Sequence, residues 1–423
     1  MVGDRQTQIR EIPKEWKVVR LQDIVSEIKN GFASGKRDEN GIVQIRMNNV
    51  TTNGRLIFDS YIKVPVPENL EEWILKPGDL LFNNTNSYDL VGKSAIFETA
   101  PFLCTFSNHF TRIRFKEGVI PKIILWNFLM LWERGYFKSI AIRHVGQSAV
   151  HPKYLLKLKI PLPPLPEQRK IAEILSTVDD AIQKVDEAIA KTERLKRGLM
   201  QKLLTKGIGH KEFEDTEIGR IPKQWKVVRL GDEGIAEIRS NRVISGFEKV
   251  AFIPMELIPD SGIFANYELR PMDEVKSFTY CERGDLLLAK ITPSLENGKQ
   301  GIVPDDVPNG FALATTEVFP IVPKGVDKLY LFYLLKFPKF RNKIIASMIG
   351  TTGRQRASKE SLEKLKIPLP PLPEQRKIAE ILSTVDKKLE LEKKKKEKLK
   401  HVKKGLMSYL LTGRRRVEVV KNE

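Results

Sequence analysis

Several short stretches of this chain concentrate side chains with forked or multiple hydrogen-bonding groups. In the first half they are Gln44, Arg46, Asn48 and Asn49 in VQIRMNNV, Asn83, Asn84 and Asn86 in LFNNTNSY, and Lys93. The segment IRHVGQSAVHPKY adds Arg143, His144, Gln147, Ser148 and Lys153. In the second half they are Arg239, Asn241 and Arg242 in IRSNRV, then Lys290, Thr292, Ser294, Asn297 and Lys299 in AKITPSLENGKQG. The segment GTTGRQRASKE adds Thr351, Thr352, Arg354, Gln355 and Arg356. A guanidinium fork fits guanine O6/N7 and a carboxamide fits adenine N6/N7, while hydroxyls and amides suit phosphates, which position without specifying. The chemistry such sets can do is the reading of double-stranded DNA. A single Asn is commonly a turn or cap residue, so the clustering is what carries this reading.

The elements that must hold these clusters come in two copies. KIPLPPLPEQRKIAEILSTVD occurs at Lys159–Asp179 and unchanged at Lys366–Asp386. IPKEWKVVRL at Ile12–Leu21 returns as IPKQWKVVRL at Ile221–Leu230, PGDLLF at Pro77–Phe82 as RGDLLL at Arg283–Leu288, and KRGLMQKLLT at Lys196–Thr205 as KKGLMSYLLT at Lys403–Thr412. Offsets of 206 to 209 residues are far too long for solenoid repeats and mark a duplicated domain. Nearly identical brackets around dissimilar interiors suggest one scaffold displaying two different binding surfaces. The interiors mix short β-type runs with Gly/Asn/Pro turns and end in an apolar helical stretch, an α+β pattern.

In LPPLPEQRKIAEIL the prolines set an extended segment with few hydrogen bonds, and Pro166 and Glu167 suit the first turn of a helix. Beyond it Ile171, Leu175, Val178, Ile182, Val185 and Ile189 follow a heptad seam that continues with drift to Leu195, Leu199 and Leu203. The second copy keeps Ile378, Leu382, Val385 and Leu389, loses the seam across the lysines, and recovers it at Leu399 and Leu406. A continuous helix over 167–205 would be roughly 58 Å long, whereas Ser176, Thr177 or Asp179 could instead cap a second helix. Two apolar stripes of this length predict an antiparallel, coiled-coil-like pair acting as a spacer and docking surface, pseudo-twofold by duplication. The expected division is 1–158 first recognition domain, 159–210 first boundary and spacer helix, 211–365 second recognition domain, and 366–423 second boundary, helix and basic tail.

The formal charge of +19 fits a polyanionic partner. Between Asp386 and Arg416, however, 13 Lys/Arg face four Asp/Glu, so nearly half the excess sits in one helical segment and its tail. Two cysteines that the repeat does not align, five scattered histidines, and no apolar run long enough for a membrane span or signal peptide fit a cytoplasmic protein without metal, cofactor or membrane contact. No phosphate loop, dinucleotide fold signature, CxxC or HExxH occurs, and KGIGHK at Lys206–Lys211 reads as a helix C-cap and linker.

The doubled IPLPPLPEQRKIAEIL boundary, the leading motif DTEIGRIPKQWKVVRLGD and the RGDLLLAK–NGK–GTTGR succession resemble the DNA-specificity (S) subunit of type I restriction–modification systems over essentially the whole chain. The first interior departs from the pattern, with GQSAVHP in place of GTTGRQR and NNTNSYDLVGK in place of AKITPSLENGK. The resemblance implies two target-recognition domains that each read one half of a bipartite, gapped site. It also implies helices that set the gap and dock two adenine-methylating subunits, with restriction subunits joining the full complex and no catalysis in the chain itself. A stand-alone nuclease or methyltransferase, or a helical scaffold with a target other than DNA, are the competing expectations.

Overall fold

In the computed structural model, which describes residues 12–418 apart from Thr352, the two copies fold on one plan. The chain divides into two compact units. One joins the residues up to Lys184 to those from Lys396 onward, and the other is Val185–Lys395.

In the first unit the leading strand Lys17–Arg20 pairs antiparallel with Lys159–Leu162. In the second, Lys226–Arg229 pairs in the same register with Lys366–Leu369. The KIPL residues ahead of the Pro-rich segment are thus a bonded strand, and Pro163–Pro164 and Pro370–Pro371 lie beyond its end. The proline within KIPL tolerates this pairing because a two-stranded ladder leaves an edge where a missing N–H costs nothing. Between these brackets the first unit builds a four-stranded antiparallel sheet in the order Val25–Asn30, Phe110–Phe115, Leu80–Asn83, Ser94–Ile96. A smaller sheet orders Ile62–Val64, Ile42–Ile45 and Cys104–Phe106, the last two strands parallel. The second unit repeats the larger sheet as Ala236–Ile238, Val318–Pro323, Leu286–Ala289, Gln300–Ile302. Its other sheet orders Glu268–Pro271, Lys249–Ile253, Phe311–Ala314 and Thr279–Glu282.

The apolar stretches form the helices Pro121–Glu133 and Lys328–Lys336. Around the first lie Trp126, Phe128, Phe82 and Phe137, closed by Ile171 and Leu175 and by Met407, Leu410 and Leu411. Around the second lie Tyr330 to Leu335, closed by Met200, Leu203 and Leu204 and by Ile378, Ala379 and Leu382. Each core therefore contains turns from both long helices, which the chain supplies from opposite copies of the repeat.

Those helices run Leu165–Lys206 and Leu372–Leu410, 42 and 39 residues. Both are unbroken, so the capping alternative at Ser176, Thr177 and Asp179 is not used. Thr177 instead bonds back to the Glu173 carbonyl at 2.9 Å, as a mid-helix threonine does. The pairing is antiparallel. In the first unit Asp179 meets Lys403 at 2.7 Å, and in the second Lys196 meets Asp386 while Glu193 meets Lys393. Ile171, Leu175, Ile182, Val185, Ile378, Leu382 and Leu389 are buried, and Val178, Ile189, Val385, Leu399 and Leu406 are half-buried. Leu195 is not in the seam: it is 54% exposed, and Thr192 is buried one turn earlier. A strict 4-3 spacing from Ile189 passes through Thr192, Lys196, Leu199 and Leu203, so register rather than residue type decides what faces inward. The same rule carries the second seam through the lysines, where Lys396 is half-buried and Lys403 is buried. Among the described residues no helix is long and apolar enough to cross a membrane.

The first turns of the long helices hold the brackets together. Trp16 Nε1 donates to Glu167 at 2.9 Å, and Arg416, beyond the second long helix, pairs with the same carboxylate at 2.8 and 2.9 Å. In the other unit Trp225 Nε1 donates to Glu374 at 3.0 Å, joined by the Ile208 N–H and the His210 ring at 2.9 Å. Gly207, at φ +64°, makes that return possible, since a Cβ there would collide with the Glu374 carboxylate and the Trp225 ring. The adjacent glutamines staple the neighbouring loops. Gln168 accepts from the Ile120 N–H and donates to the Pro163 carbonyl, both at 2.9 Å. Gln375 does the same with Asp327 and Pro370, both at 2.8 Å.

Two outcomes are expected. Glu374→Ala strands a buried indole N–H and should cost about 2–3 kcal/mol of unfolding free energy, read by urea titration. Burial pushes the Lys336 ammonium from 10.5 down to about 8, with Lys196 adding to the effect, and its Nζ has no hydrogen-bond partner. The unfolded chain then holds one more proton between about pH 8 and 10.5, so stability rises with pH across that window. Lys336→Met should remove that rise and be more stable than the wild type at pH 7 by thermal unfolding.

Candidate nucleic-acid interface

The structure sorts the candidate side chains by what they already touch. Gln44 is fully buried, donates to the Phe32 carbonyl at 3.1 Å and accepts from Arg46 Nη2 at 3.2 Å. Arg46 is half-buried, and desolvation depresses its guanidinium, with Arg37 adding to the effect. Asn49 is buried and staples its own loop, accepting from the Arg46 N–H and donating to the carbonyls of Ile57 and Ser60. Asn83, Asn84 and Asn86 are also buried. Asn83 donates to the His109 carbonyl at 2.8 Å and Asn84 to Thr111 Oγ1 at 3.0 Å, while Asn86 donates to Asn83. These carboxamides fill hydrogen-bonding needs inside the sheet.

Lys93 and Lys299 are a matched pair at the repeat offset. Lys93 Nζ donates to the carbonyls of Met47 and Val50 at 3.2 and 2.8 Å. Lys299 Nζ donates to those of Met255 and Ile258, both at 2.9 Å. Each ammonium anchors a short 3-10 turn to the sheet, and desolvation depresses Lys93. Arg239 is held in a fork on Asp285 at 2.6 and 2.9 Å, which keeps its guanidinium firmly charged. Asn241 accepts from the Tyr280 N–H and donates to the Phe278 carbonyl. Thr292 is half-buried on Glu296, and Ser294 and Ser148 are buried.

What remains outward is concentrated on one element per unit. In the first, Ile142–His144 and Gln147–Ala149 form a two-stranded ribbon whose second strand also pairs with Thr85–Asn86. It exposes Arg143, His144 and Gln147, and its tip residue Val145 is 104% exposed. The Arg143 guanidinium lies 3.7 Å over the Tyr88 ring. In the second unit the ribbon is Ile349–Thr351 with Arg354–Arg356, exposing Thr351, Arg354 and Arg356, with Gln355 half-buried and Ile349 77% exposed. Thr352 lies outside the described residues. Arg356 is met by both oxygens of Glu317 at 2.7 Å. Lys290, half-buried over Phe319, is depressed chiefly by desolvation and also by Arg356, against Glu317. Asn48, Lys153, Arg242 and Asn297 are exposed elsewhere on the units, and Arg242 lies 3.4 Å from Glu282.

Tyr88 and Glu317 were not singled out from the sequence. Each lies far along the chain from the arginine it meets, and only the fold joins them. A two-stranded ribbon fits the major groove of B-form DNA, and these two carry different side chains on one backbone plan. The test of the sorting is a pair of variants. Lys299→Met should lower the urea midpoint by an amount equivalent to about 1–3 kcal/mol, whereas Arg354→Ala should leave it within about 0.5 kcal/mol.

The profile of the type I restriction modification DNA specificity domain matches this sequence twice, over residues 13–193 and 222–401. The chain is 33% identical over 429 residues to the specificity subunit assigned to the MjaX type I restriction enzyme of Methanocaldococcus jannaschii, covering 98% of this chain and 97% of that one. It is 30% identical over 421 residues to the MjaVIII specificity subunit of the same organism, covering 96% and 94%. The type I S subunit from M. genitalium, solved by crystallography, shares the fold with a TM-score of 0.55 at 14% identity, covering 95% of this chain and 98% of that one. A chain solved in work on complex assembly and conformational transition of the type I R-M system gives 0.51 at 17% identity, with the same coverage.

Proposed function

This chain belongs to the type I restriction–modification DNA-specificity family, and on that premise we propose that its two ribbons each read one half of a bipartite, gapped DNA site. The observation that carries the reading is the matched pair of outward ribbons. Both are fixed at the same place on a duplicated scaffold, yet they present Arg143, His144 and Gln147 in one unit and Thr351, Arg354, Gln355 and Arg356 in the other. A duplication that served one symmetrical target would have no use for two different surfaces.

The reading domains are 1–158 and 211–365, and the candidate contacts narrow to the ribbon side chains, with Asn48, Lys153, Arg242 and Asn297 as flanking groups. Buried candidates such as Gln44, Asn83 and Lys93, together with half-buried Lys299, act by holding the surface in shape. The long helices set the gap and dock adenine-methylating subunits, two of them as the duplication suggests, and restriction subunits join the full complex. The chain itself supplies recognition rather than catalysis and acts in the cytoplasm.

Mapping methylated adenines across the host genome should return a motif of two short specified halves around an unspecified gap, and a continuous motif would overturn the reading. Arg354→Ala should relax one position in one half, weakening discrimination there by about 1–3 kcal/mol, while the other half stays intact. Loss of both halves together would show that the ribbons are not independent readers.

A further inference from the structure

The repeat KIPLPPLPEQRKIAEILSTVD ends on an aspartate that the brackets and cores leave unexplained. In the first unit Asp179 places one carboxylate oxygen 2.7 Å from Lys403 Nζ, and the other accepts from Trp126 Nε1 at 3.2 Å. In the second unit Asp386 places one oxygen 2.5 Å from Lys196 Nζ, and the other accepts from the Tyr333 hydroxyl at 2.8 Å. Lys403 and Lys196 sit on the opposite long helix, while Trp126 and Tyr333 sit on the helix at the heart of the reader core. Each carboxylate thus ties three helices at one point. In the first unit Arg55 adds a fourth tie, donating to the Asp179 carbonyl and to Gln183 Oε1.

Trp126 and Tyr333 occupy equivalent places in the two copies yet differ in size and chemistry. What they share is a donor aimed at the aspartate. A position chosen for packing alone would have no reason to retain a hydrogen bond through that change. The carboxylates are 22% and 12% exposed and their lysines 11% and 19%, so these are sheltered pairs rather than solvated surface ones.

We propose that Asp179 and Asp386 are positioning residues for gap length: each locks its reader to the helix pair so that the distance between half-sites is counted to a single base pair. The inference rests on the bipartite reading above. One base pair displaces a half-site by about 3.4 Å, whereas a one-turn slip along a helix moves a reader by about 5.4 Å. A hydrophobic seam resists separation but only weakly resists sliding or rolling. A directional pair at fixed distance resists both.

The test uses the full chain purified with its host modification subunit, and duplexes carrying the methylome motif with the gap unchanged, shortened or lengthened by one base pair. The wild type should lose about thirtyfold in affinity on either altered gap, the cost of a typical mismatch. Asp179→Asn and Asp386→Asn should reduce that penalty to about threefold, while single base changes in either half keep their wild-type cost. Tyr333→Phe, which retains the Lys196 pair and the ring packing, should fall between them, and it decides by the same criterion if an Asn variant does not fold. Unchanged gap discrimination in the folded variants, or loss of base and gap preference together, overturns the inference while leaving a gapped motif standing. A wild-type motif with no gap overturns the bipartite reading and this inference with it.

Discussion

The structure depends on a carboxylate at the start of each long helix. Glu167 and Glu374 sit where the helix dipole favours negative charge, and each receives an indole N–H from the leading motif. Each also receives a group from the chain just beyond the other long helix, Arg416 in one case and His210 in the other. One carboxylate therefore closes the bracket, seats the helix and captures the returning tail. The neighbouring glutamine fixes the loop that leads into the core helix. Glu and Gln are each committed to two or three partners in both copies, which accounts for why PLPEQ stays unchanged within the repeated boundary.

With the brackets fixed in this way, the interior is free to change as long as a few internal anchors remain. Lys93 and Lys299 show what such an anchor requires. Each donates to the same two carbonyls of an equivalent turn, although the turns read MNNV and MELI. The ribbons lie beyond these anchors, so their side chains can differ without disturbing the sheet. On the proposed reading, recognition and stability fall to different residues, even when both are lysine, arginine or asparagine.

The duplication, the α+β class and the pair of long helices could be read from the sequence, because each leaves a periodic or repeated trace. The sorting of polar side chains could not. VQIR and LFNN resemble surface stretches by composition, yet Gln44 and Asn83 point inward to satisfy backbone groups that no neighbour in sequence reveals. Leu195 and Thr192 mislead in the same way: apolarity suggested the leucine, but the 3.5-residue register places the threonine inside. Asp179 read as a possible cap because its lysine and indole partners lie 224 and 53 residues away along the chain.

The two units differ in one respect that symmetry of structure conceals. Val185–Lys395 is a continuous stretch of chain, whereas the other unit needs residues from both ends. Met407, Leu410 and Leu411 close the core built around Trp126, and Arg416 completes the cluster at Glu167. During synthesis, the half that begins first is therefore finished last. It waits with an open apolar face while the later half has everything it requires, and the final turns of the second long helix serve as its closing wall.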